Sequence, residues 1–595
     1  MKEIIKKYFK NFTYFYRYLR HRIFLSIVLS LIVGLLDGFG LAMFLPLLQM
    51  VSGEGDVQAE QLGNLAFLID TLEGMGIEIV LTNVLLLILF FFTVKGLFKY
   101  AEANYKVFLQ QKFIKEIRFT NIRLLANFDY RAFVTSDVGR IQNTFSGEVE
   151  RVLQAYNSYF TAFQYSILVA VYIGLAFLAN PQFAILVAIG GGLTNLIFKK
   201  IYRKTKELSR NLTNENHSFQ GLLIQEVSNF KYLKASGLIN AFGEMLKASI
   251  LKIEYAQRRI GKLASFLASM REPIVIFVVV AVIVIQVSFF SQNLGLIILS
   301  LLFFYRSLAF LMAVQNYANV FLSVSGSLEN MTEFTKSLAS AQERRGGLSF
   351  KKFSGKIEIA NLNFSYGDES VLKDVSFTFL KNQTLAIVGA SGSGKTTLMN
   401  IMTGLLPVNE GSFFIDGTDV NKIDIHTYQR RIGYITQEPV VFNASIFNNI
   451  TFWDEPTPAN KERFWHAVNL ASINELINEL PAKEDTLLGN NGISLSGGQR
   501  QRISIARELY KDIDFLFMDE ATSALDSETE KVIKENIDGL KGKITILIVA
   551  HRLSTVKDAD LIIVLNQGNV ESVGKFDDLK MKSANFRKMV ELQEF

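Results

Sequence analysis

The stretch Leu385-Ala386-Ile387-Val388-Gly389-Ala390-Ser391-Gly392-Ser393-Gly394-Lys395-Thr396 decides how this chain is read. Its last eight residues fit G-x-x-x-x-G-K-[ST], the phosphate-binding P-loop. Leu385 to Val388 reads as a buried strand, and Thr397-Leu398-Met399-Asn400-Ile401-Met402 as the opening of a helix. Glycines let the backbone curl so that several N–H groups point at one anion, and the helix N-terminus adds partial positive charge. In this pattern Lys395 reaches the β/γ-phosphates and the Thr396 hydroxyl holds Mg²⁺. Gly389, Ala390, Ser391, Gly392, Ser393, Gly394 and Thr397 complete the expected cradle. The chain is expected to bind a nucleoside triphosphate, and the other residues must say what is done with it.

At 595 residues the chain is too long for one core. A mean hydropathy of +0.24 and 50 Phe point to lipid-facing surface. There is no cysteine, which excludes disulfides, thiolate metal sites and a Cys nucleophile. The formal charge of +6 is modest, but the basic residues crowd beside apolar segments. Met1 to Arg22 is basic and aromatic, and no small-residue cleavage site follows the apolar stretch after it. It reads as a cytoplasmic, interface-lying approach to a membrane helix and not as a signal peptide.

Six apolar runs follow, each long enough for a bilayer span. They cover Ile23 to Val51, Ile79 to Phe98, Tyr159 to Leu178, Phe183 to Phe198, Pro273 to Phe290 and Leu294 to Phe321. A polar stretch from Ser52 to Gln61 and an amphipathic piece, Leu65 to Leu72, separate the first two. Lys and Arg flank the N-terminus, Lys99 to Arg151, Lys199 to Lys262 and everything after Lys336, whereas the turns at 52–76, 180–182 and 291–293 carry none. The positive-inside rule puts the long loops and the P-loop domain in the cytoplasm. Lys99 to Arg131 and Arg203 to Lys262 keep helical periodicity and read as membrane helices extended beyond the bilayer. Short breaks interrupt them at Phe128 to Gly139 and Ser228 to Gly237. Such breaks suit docking onto a neighbouring domain or ordinary helix–helix turns.

Four charges sit among apolar residues: Asp37, Lys95, Arg271 at the start of the fifth run, and Arg306 in the sixth. A mid-span carboxylate costs roughly 2.5–3.5 kcal/mol, so Asp37 is expected to face protein or a cavity. Lys95 and Arg271 are within reach of snorkelling to the headgroups. Arg306 is expected to line a cavity. Several cations in one cavity would suit an anionic cargo such as a phosphate or diphosphate headgroup.

In the second half Tyr366 ends a strand ahead of the P-loop, where an aromatic ring can stack on a base. Gln437 ends another strand, within reach of Mg²⁺ or an attacking water. Asp514-Phe515-Leu516-Phe517-Met518-Asp519-Glu520 is an apolar strand ending in two acids, the Walker B pattern. There Asp519 holds Mg²⁺ through its water shell and Glu520 polarises the attacking water as general base. Leu495-Ser496-Gly497-Gly498-Gln499 is a second glycine turn at a helix start, which alone reads as a plain Ser/Gly helix cap and beside the other motifs as a second anion site. One nucleotide does not need two such sites from a single chain. Two chains facing each other do, each covering the other's γ-phosphate.

With these motifs the chain resembles an ATP-binding cassette (ABC) exporter half-transporter over nearly its whole length. The resemblance implies that Ser496, Gly497, Gly498 and Gln499 contact ATP held by the partner's P-loop, and that Tyr366 stacks on adenine. It implies that Gln437 is the Q-loop residue, that Asp526 of Ser523-Ala524-Leu525-Asp526 communicates between two sites, and that His551 is the switch histidine. The breaks near 128–139 and 228–237 match coupling helices. One departure is visible: Thr486-Leu487-Leu488-Gly489-Asn490-Asn491-Gly492 has Asn490 where exporters usually carry glutamate. The implied fold is an all-α six-helix transmembrane domain (23–325) after a basic segment (1–22), then a linker (326–355) and an α/β P-loop ATP-binding domain (356–595).

The membrane half is similar to lipid-linked oligosaccharide flippases in Leu35-Leu36-Asp37-Gly38-Phe39-Gly40, Leu45-Pro46-Leu47 and Tyr305-Arg306. The implied activity is ATP-driven translocation of an amphipathic substrate, with ATP and Mg²⁺ as cofactors. The implied partners are a second copy of the chain and membrane lipids, with no nucleic acid. The expected location is a bacterial inner membrane with the N-terminus and ATP-binding domain cytoplasmic. A multidrug or general lipid exporter is the alternative, and an ATP-gated channel or regulator the rival from another class.

Overall fold

The computed structural model describes residues 10–51, 66–179, 181–290, 294–343, 346–489, 492–493, 495–519, 527–550 and 556–592. The chain divides into two compact units: Met1–Phe128 with Thr135–Gln342, and Asp129–Val134 with Glu343–Phe595.

The first unit is helical. Helix α1 (Lys10–Leu19) buries Phe15 and Leu19 completely. The Phe15 ring lies 5.3 Å from Phe113 and 5.6 Å from Tyr156, so one face of this basic, aromatic segment is docked on protein. Helix α2 (Arg22–Ala42) has 21 residues. At 1.5 Å each that is about 32 Å, the thickness of a bilayer core. The first apolar run is therefore not one helix. The chain breaks at Met43 and resumes as α3 (Phe44–Val51). Pro46 has no N–H to give the carbonyl of Ala42, four residues back. Helix α4 (Ala66–Gly74) forms the amphipathic piece.

The remaining five runs fall in α5 (Leu81–Ala126), α8 (Gly147–Ala179), α9 (Pro181–Ser228), α11 (Ile239–Phe290) and α12 (Leu294–Ser340). Among the described residues four helices are long and apolar enough to cross a membrane: α2, α5, α8 and α12. The side chains of the fourth and fifth runs lie largely outside the described residues. The interruptions between long helices are themselves helical: α6 (Tyr130–Val134), α7 (Val138–Phe145) and α10 (Phe230–Ala235). Arg271 stands well inside α11, not at a helix start.

The second unit holds two sheets. Strands β1 (Lys356–Tyr366), β2 (Glu369–Leu380), β4 (Phe413–Ile415) and β5 (Thr418–Asp419) form an antiparallel sheet in the order β2-β1-β4-β5. Strands β3 (Thr384–Gly389), β6 (Ile432–Ile435), β7 (Phe515–Asp519), β8 (Thr545–Val549), β9 (Leu561–Asn566) and β10 (Asn569–Gly574) form the other, ordered β10-β9-β3-β8-β7-β6. Its four pairings from β9 to β6 run parallel, and only β10 is antiparallel. Alternation along each strand feeds two cores. Leu385, Ile387, Phe515, Phe517, Leu547 and Val549 face the core shared with the antiparallel sheet. Ala386, Val388, Leu516, Met518, Ile546 and Ile548 face the core made with helices. Helices α13 (Lys395–Met402), α14 (Ile446–Thr451), α15 (Pro458–Leu470) and α16 (Gly497–Tyr510) complete the part that matters for the site. Helix α6 belongs to this unit, with Tyr130 against the first core and the Arg131 guanidinium 5.9 Å from the Phe364 ring.

Candidate functional site

Strand β3 is buried along its whole length and delivers the chain to Gly389 at φ +154°. A Cβ there would lie 2.3 Å from the Leu565 carbonyl oxygen and 2.7 Å from Ser393 Oγ, so only glycine lets the loop pass β9. Gly394 turns the chain into α13 at φ +101°, a conformation costly for any other residue. Lys395 is buried and curls back: its Nζ donates to the carbonyls of Gly389 (2.9 Å) and Ala390 (3.0 Å). The buried Ser393 hydroxyl has no hydrogen-bond partner among the described residues. Ala390, Ser391, Gly392 and Thr396 are exposed, whereas Thr397 is buried in the first turn of α13. A lysine folded over a glycine curl, an orphaned hydroxyl and the start of a helix form a cradle for a polyanion.

The other motifs come to the same edge because four parallel strands end there. Asp519 closes β7 opposite Val549 of β8, and Val549 is level with Ile387 of β3. β8 separates β7 from β3, so Asp519 is offset from the P-loop strand by two strand spacings, roughly 10 Å. Gln437 follows β6 by two residues and is exposed beside that end. The arrangement is that of open α/β sheets, where ligands bind beyond the carboxyl ends of the strands. The Thr396 hydroxyl, the Asp519 carboxylate and the Gln437 carboxamide are oxygen donors, which suit a hard cation such as Mg²⁺. Among the described residues no cluster of His, Cys, Asp and Glu forms a self-sufficient metal site. Mg²⁺ here would depend on substrate phosphates for further ligands. Tyr434 of β6, which no sequence motif marks, has its hydroxyl pKa pushed up to about 12 by burial and by the Asp519 charge.

Helix α16 runs antiparallel to β6. Its Glu508 accepts from the Tyr434 N–H (3.1 Å), and its Gln501 carboxamide donates to the Thr436 carbonyl (3.4 Å). Five residues before Gln501, Ser496 caps the helix about 7.5 Å further out, past the carboxyl end of the strand. Gly497 and Gly498 form the first turn. The cap is a capping box: Ser496 Oγ accepts from the Gln499 N–H (3.2 Å) and Gln499 Oε1 accepts from the Ser496 N–H (2.8 Å). Gln499 is thus engaged in its own helix start. Tyr366 is 40% exposed at the end of β1, edge-on to Phe364. Glu520, Asp526, His551 and Asn490 lie outside the described residues.

Arg507 was not singled out by motif. It is buried, donating to the Asn449 carbonyl (2.6 Å), the Asn449 carboxamide oxygen (2.9 Å) and the Val440 carbonyl (2.7 Å). It therefore fixes the segment after Gln437 to the helix that presents Ser496. The available signal was its phase, since Ile503, Ala506, Arg507 and Tyr510 share one face of α16.

In the first unit the charges expected to line a cavity are arranged differently. Asp37 is buried; Lys95 Nζ is 2.5 Å from its Oδ1 and Tyr172 donates to its Oδ2 (2.6 Å). Two helical turns away, Ser30 donates to buried Glu102, which also accepts from Gln164 (2.8 Å). Both layers tie α2, α5 and α8 together. Lys95 is therefore neutralised, Arg306 is exposed on α12, and the Arg271 side chain lies outside the described residues.

A bilayer-length helical unit joined to a P-loop α/β unit defines an integral membrane protein driven by a nucleoside triphosphate. Residues 23–314 match the ABC transporter transmembrane region and residues 372–523 the ABC transporter family. The chain is 33% identical over 395 residues to the β-(1→2)glucan export ATP-binding/permease protein NdvA of Rhizobium etli, covering 66% of this chain and 67% of that protein. It is 40% identical over 251 residues to the ATP-dependent lipid A-core flippase of Pseudomonas aeruginosa, covering 42% of each. The fold matches a solved bacterial Atm1-family ABC exporter with ATP bound, at a TM-score of 0.80 and 22% identity over 97% of this chain and all of that one. The chain belongs to the ABC transporters: it is an exporter that binds ATP and couples its hydrolysis to transport.

Proposed function

We propose that the chain is one half of a homodimeric flippase for a lipid-linked glycan or a related lipid. It sits in a bacterial inner membrane with its N-terminus and ATP-binding domain (356–595) in the cytoplasm. The observation that carries this reading is the gathering of the P-loop, Gln437 and Asp519 at one sheet edge, while the Ser496 helix start projects outward from the same edge. A second copy would bring its Ser496 and Gly498 against this P-loop. In the closed dimer Lys395 exchanges the carbonyls of Gly389 and Ala390 for the β/γ-phosphates, and Ser393 finds its acceptor there. Tyr366 stacks on adenine, and Ser391, Gly392 and Gly394 offer backbone N–H groups. Thr396, Asp519 and Gln437 would hold Mg²⁺, which would screen the phosphate charge. Glu520 takes the proton of the attacking water, His551 contacts the γ-phosphate, and Asp526 links the two sites.

Closing two such sites must shift the membrane helices. Moving a two-state protein from 1:99 to 99:1 takes about 5.5 kcal/mol of differential binding, which two clamped triphosphates can supply. The substrate reading rests on Arg306 as an exposed cation near Tyr172 of the Asp37 layer and on relatives whose names specify a lipid A-core and a glucan. Transport of a fluorescent lipid diphosphate into vesicles holding the purified protein tests both parts. Glu520→Gln is expected to bind ATP while turnover falls roughly 10²–10⁴-fold. Arg306→Ala with Arg271→Ala is expected to keep ATPase and lose translocation. Near-normal turnover in the first variant defeats the base assignment, and unchanged translocation in the second defeats the cationic cavity.

A further inference from the structure

Between α1 and α2 the chain turns a corner at Arg20, whose φ is +53°. Around this corner lies a cavity of about 580 Å³, walled by Arg17, Arg20, His21 and Arg22 on one side and by Lys112 and Glu116 of α5 on the other. Its level follows from the two polar layers. Ser30 meets Glu102 and Asp37 meets Lys95, so seven residues of α2 run beside seven of α5 in the opposite direction. Extended downward, this register sets Arg22 beside residue 110. Lys112 and Glu116 then lie roughly 3 and 9 Å beyond Arg22, away from the bilayer centre. On the other side of Arg22 the lipid-facing surface begins at once, with Phe24, Leu25 and Val28 exposed. The cavity therefore begins at headgroup depth in the leaflet nearest the N-terminus and runs outward along α5 to Thr120 and Leu124, with Thr335 and Ala339 of α12 also in its lining.

Its charge is unbalanced. Arg17, Arg20, Arg22 and Lys112 face one acid, Glu116, which gives 4 − 1 = +3 before His21 is counted. Among the described residues none of these five makes an ion pair. Basic side chains at an interface ordinarily spread into water and leave no concavity. Here three arginines and a lysine wall a space within the range of small-ligand sites, about 300–1,000 Å³. Guanidinium forks match phosphate oxygens, and basic pockets between membrane helices on the cytoplasmic side take anionic headgroups. Tyr16, Phe24 and Leu25, close in sequence to the cavity's arginines, are exposed and offer apolar surface for acyl chains.

We propose that this cavity binds the phosphate headgroup of an anionic phospholipid, at a site separate from ATP and from the transported molecule. The bound lipid staples α1 and the start of α2 to α5. The inference uses the cytoplasmic placement of the N-terminus but not the substrate reading.

The test follows thermal unfolding of the purified full chain in neutral detergent during titration with phosphatidylglycerol, phosphatidylcholine or inorganic phosphate. Wild type is expected to be stabilised saturably by phosphatidylglycerol and not by the other two. The triple variant Arg17→Gln, Arg20→Gln, Lys112→Gln is expected to keep ATPase and to need about tenfold more phosphatidylglycerol, or more, for the same shift. An equal response from wild type and variant overturns the proposal. A response to inorganic phosphate that matches the lipid overturns the lipid assignment. Should the triple variant not fold, native mass spectrometry of delipidated wild type offered equal phosphatidylglycerol and phosphatidylcholine decides. Selective retention of phosphatidylglycerol supports the site, and indifference between the two removes it.

Discussion

Asp37 and Lys95 are each costly alone in a bilayer and tolerable together. A lone charge there costs roughly 2.5–3.5 kcal/mol. Asp37 is almost fully enclosed, and the Tyr172 hydroxyl satisfies its second oxygen. Asp37→Asn or Lys95→Met should therefore lower stability by about 2–3 kcal/mol, since each leaves the other charge unpaired. The double variant should cost less than the sum, with a coupling of about 1–3 kcal/mol. Thermal unfolding of the four proteins gives the cycle, and additive losses would show that the pair is not an energetic unit. Both charges stood out in the sequence, because carboxylates and amines are rare in apolar runs. Their pairing did not, because 58 residues separate them and the register of two helices brings them together. The reading of Lys95 as a cavity cation was lost for that reason. The P-loop residues were legible because the motif is local: one curl of eight residues specifies its own geometry. Arg507 was not, since its partners Asn449 and Val440 are 58 and 67 positions away.

Among elements, the long apolar runs announced the long helices, and short continuous apolar runs such as Leu385–Val388 and Phe515–Met518 announced the buried strands. The sequence reading erred where one residue governs a break. Pro46 divides the first run, whereas the breaks that resembled coupling helices do hold short helices, α6, α7 and α10. Gly139 illustrates the difference. In sequence it marks the end of a break; in the structure it lets α7 touch α9 backbone to backbone. A Cβ on it would lie 2.6 Å from the Gly221 Cα and 2.8 Å from its nitrogen, neither of which can rotate away. Gly139→Ala is expected to destabilise by about 1–3 kcal/mol. Gly174 of α8 supplies the control, since a Cβ there meets nothing within 4 Å. Gly174→Ala should be neutral or stabilising, by up to about 1 kcal/mol. Unfolding midpoints measured side by side in one detergent check the contrast, and equal midpoints would refute a tight α7–α9 contact.

At the scale of the whole molecule the question is whether one chain contains a complete ATP site. Within the chain, Ser496 caps a helix that points outward from the sheet edge, and Gln499 is occupied in that cap. On the proposed reading the Ser496–Gln499 segment meets the P-loop of a second copy. If each site joins Lys395 of one copy to Gly498 of the other, two mixed dimers should behave oppositely. A dimer of a Lys395→Ala subunit and a Gly498→Asp subunit places both defects in one site and leaves the other whole. It should keep measurable ATPase from its one whole site, at most about half of the wild-type rate. A dimer of wild type with a subunit carrying both substitutions has one defect in each site and should be nearly inactive. If each site were completed within its own chain, the ranking would reverse, because the wild-type subunit would retain an intact site. Doubly tagged mixed dimers isolated by sequential affinity steps allow the two rates to be compared directly. Any result in which the doubly substituted partner is the better tolerated one excludes a site shared between copies. The closure model, in which two triphosphates drive the membrane helices, would fall with it.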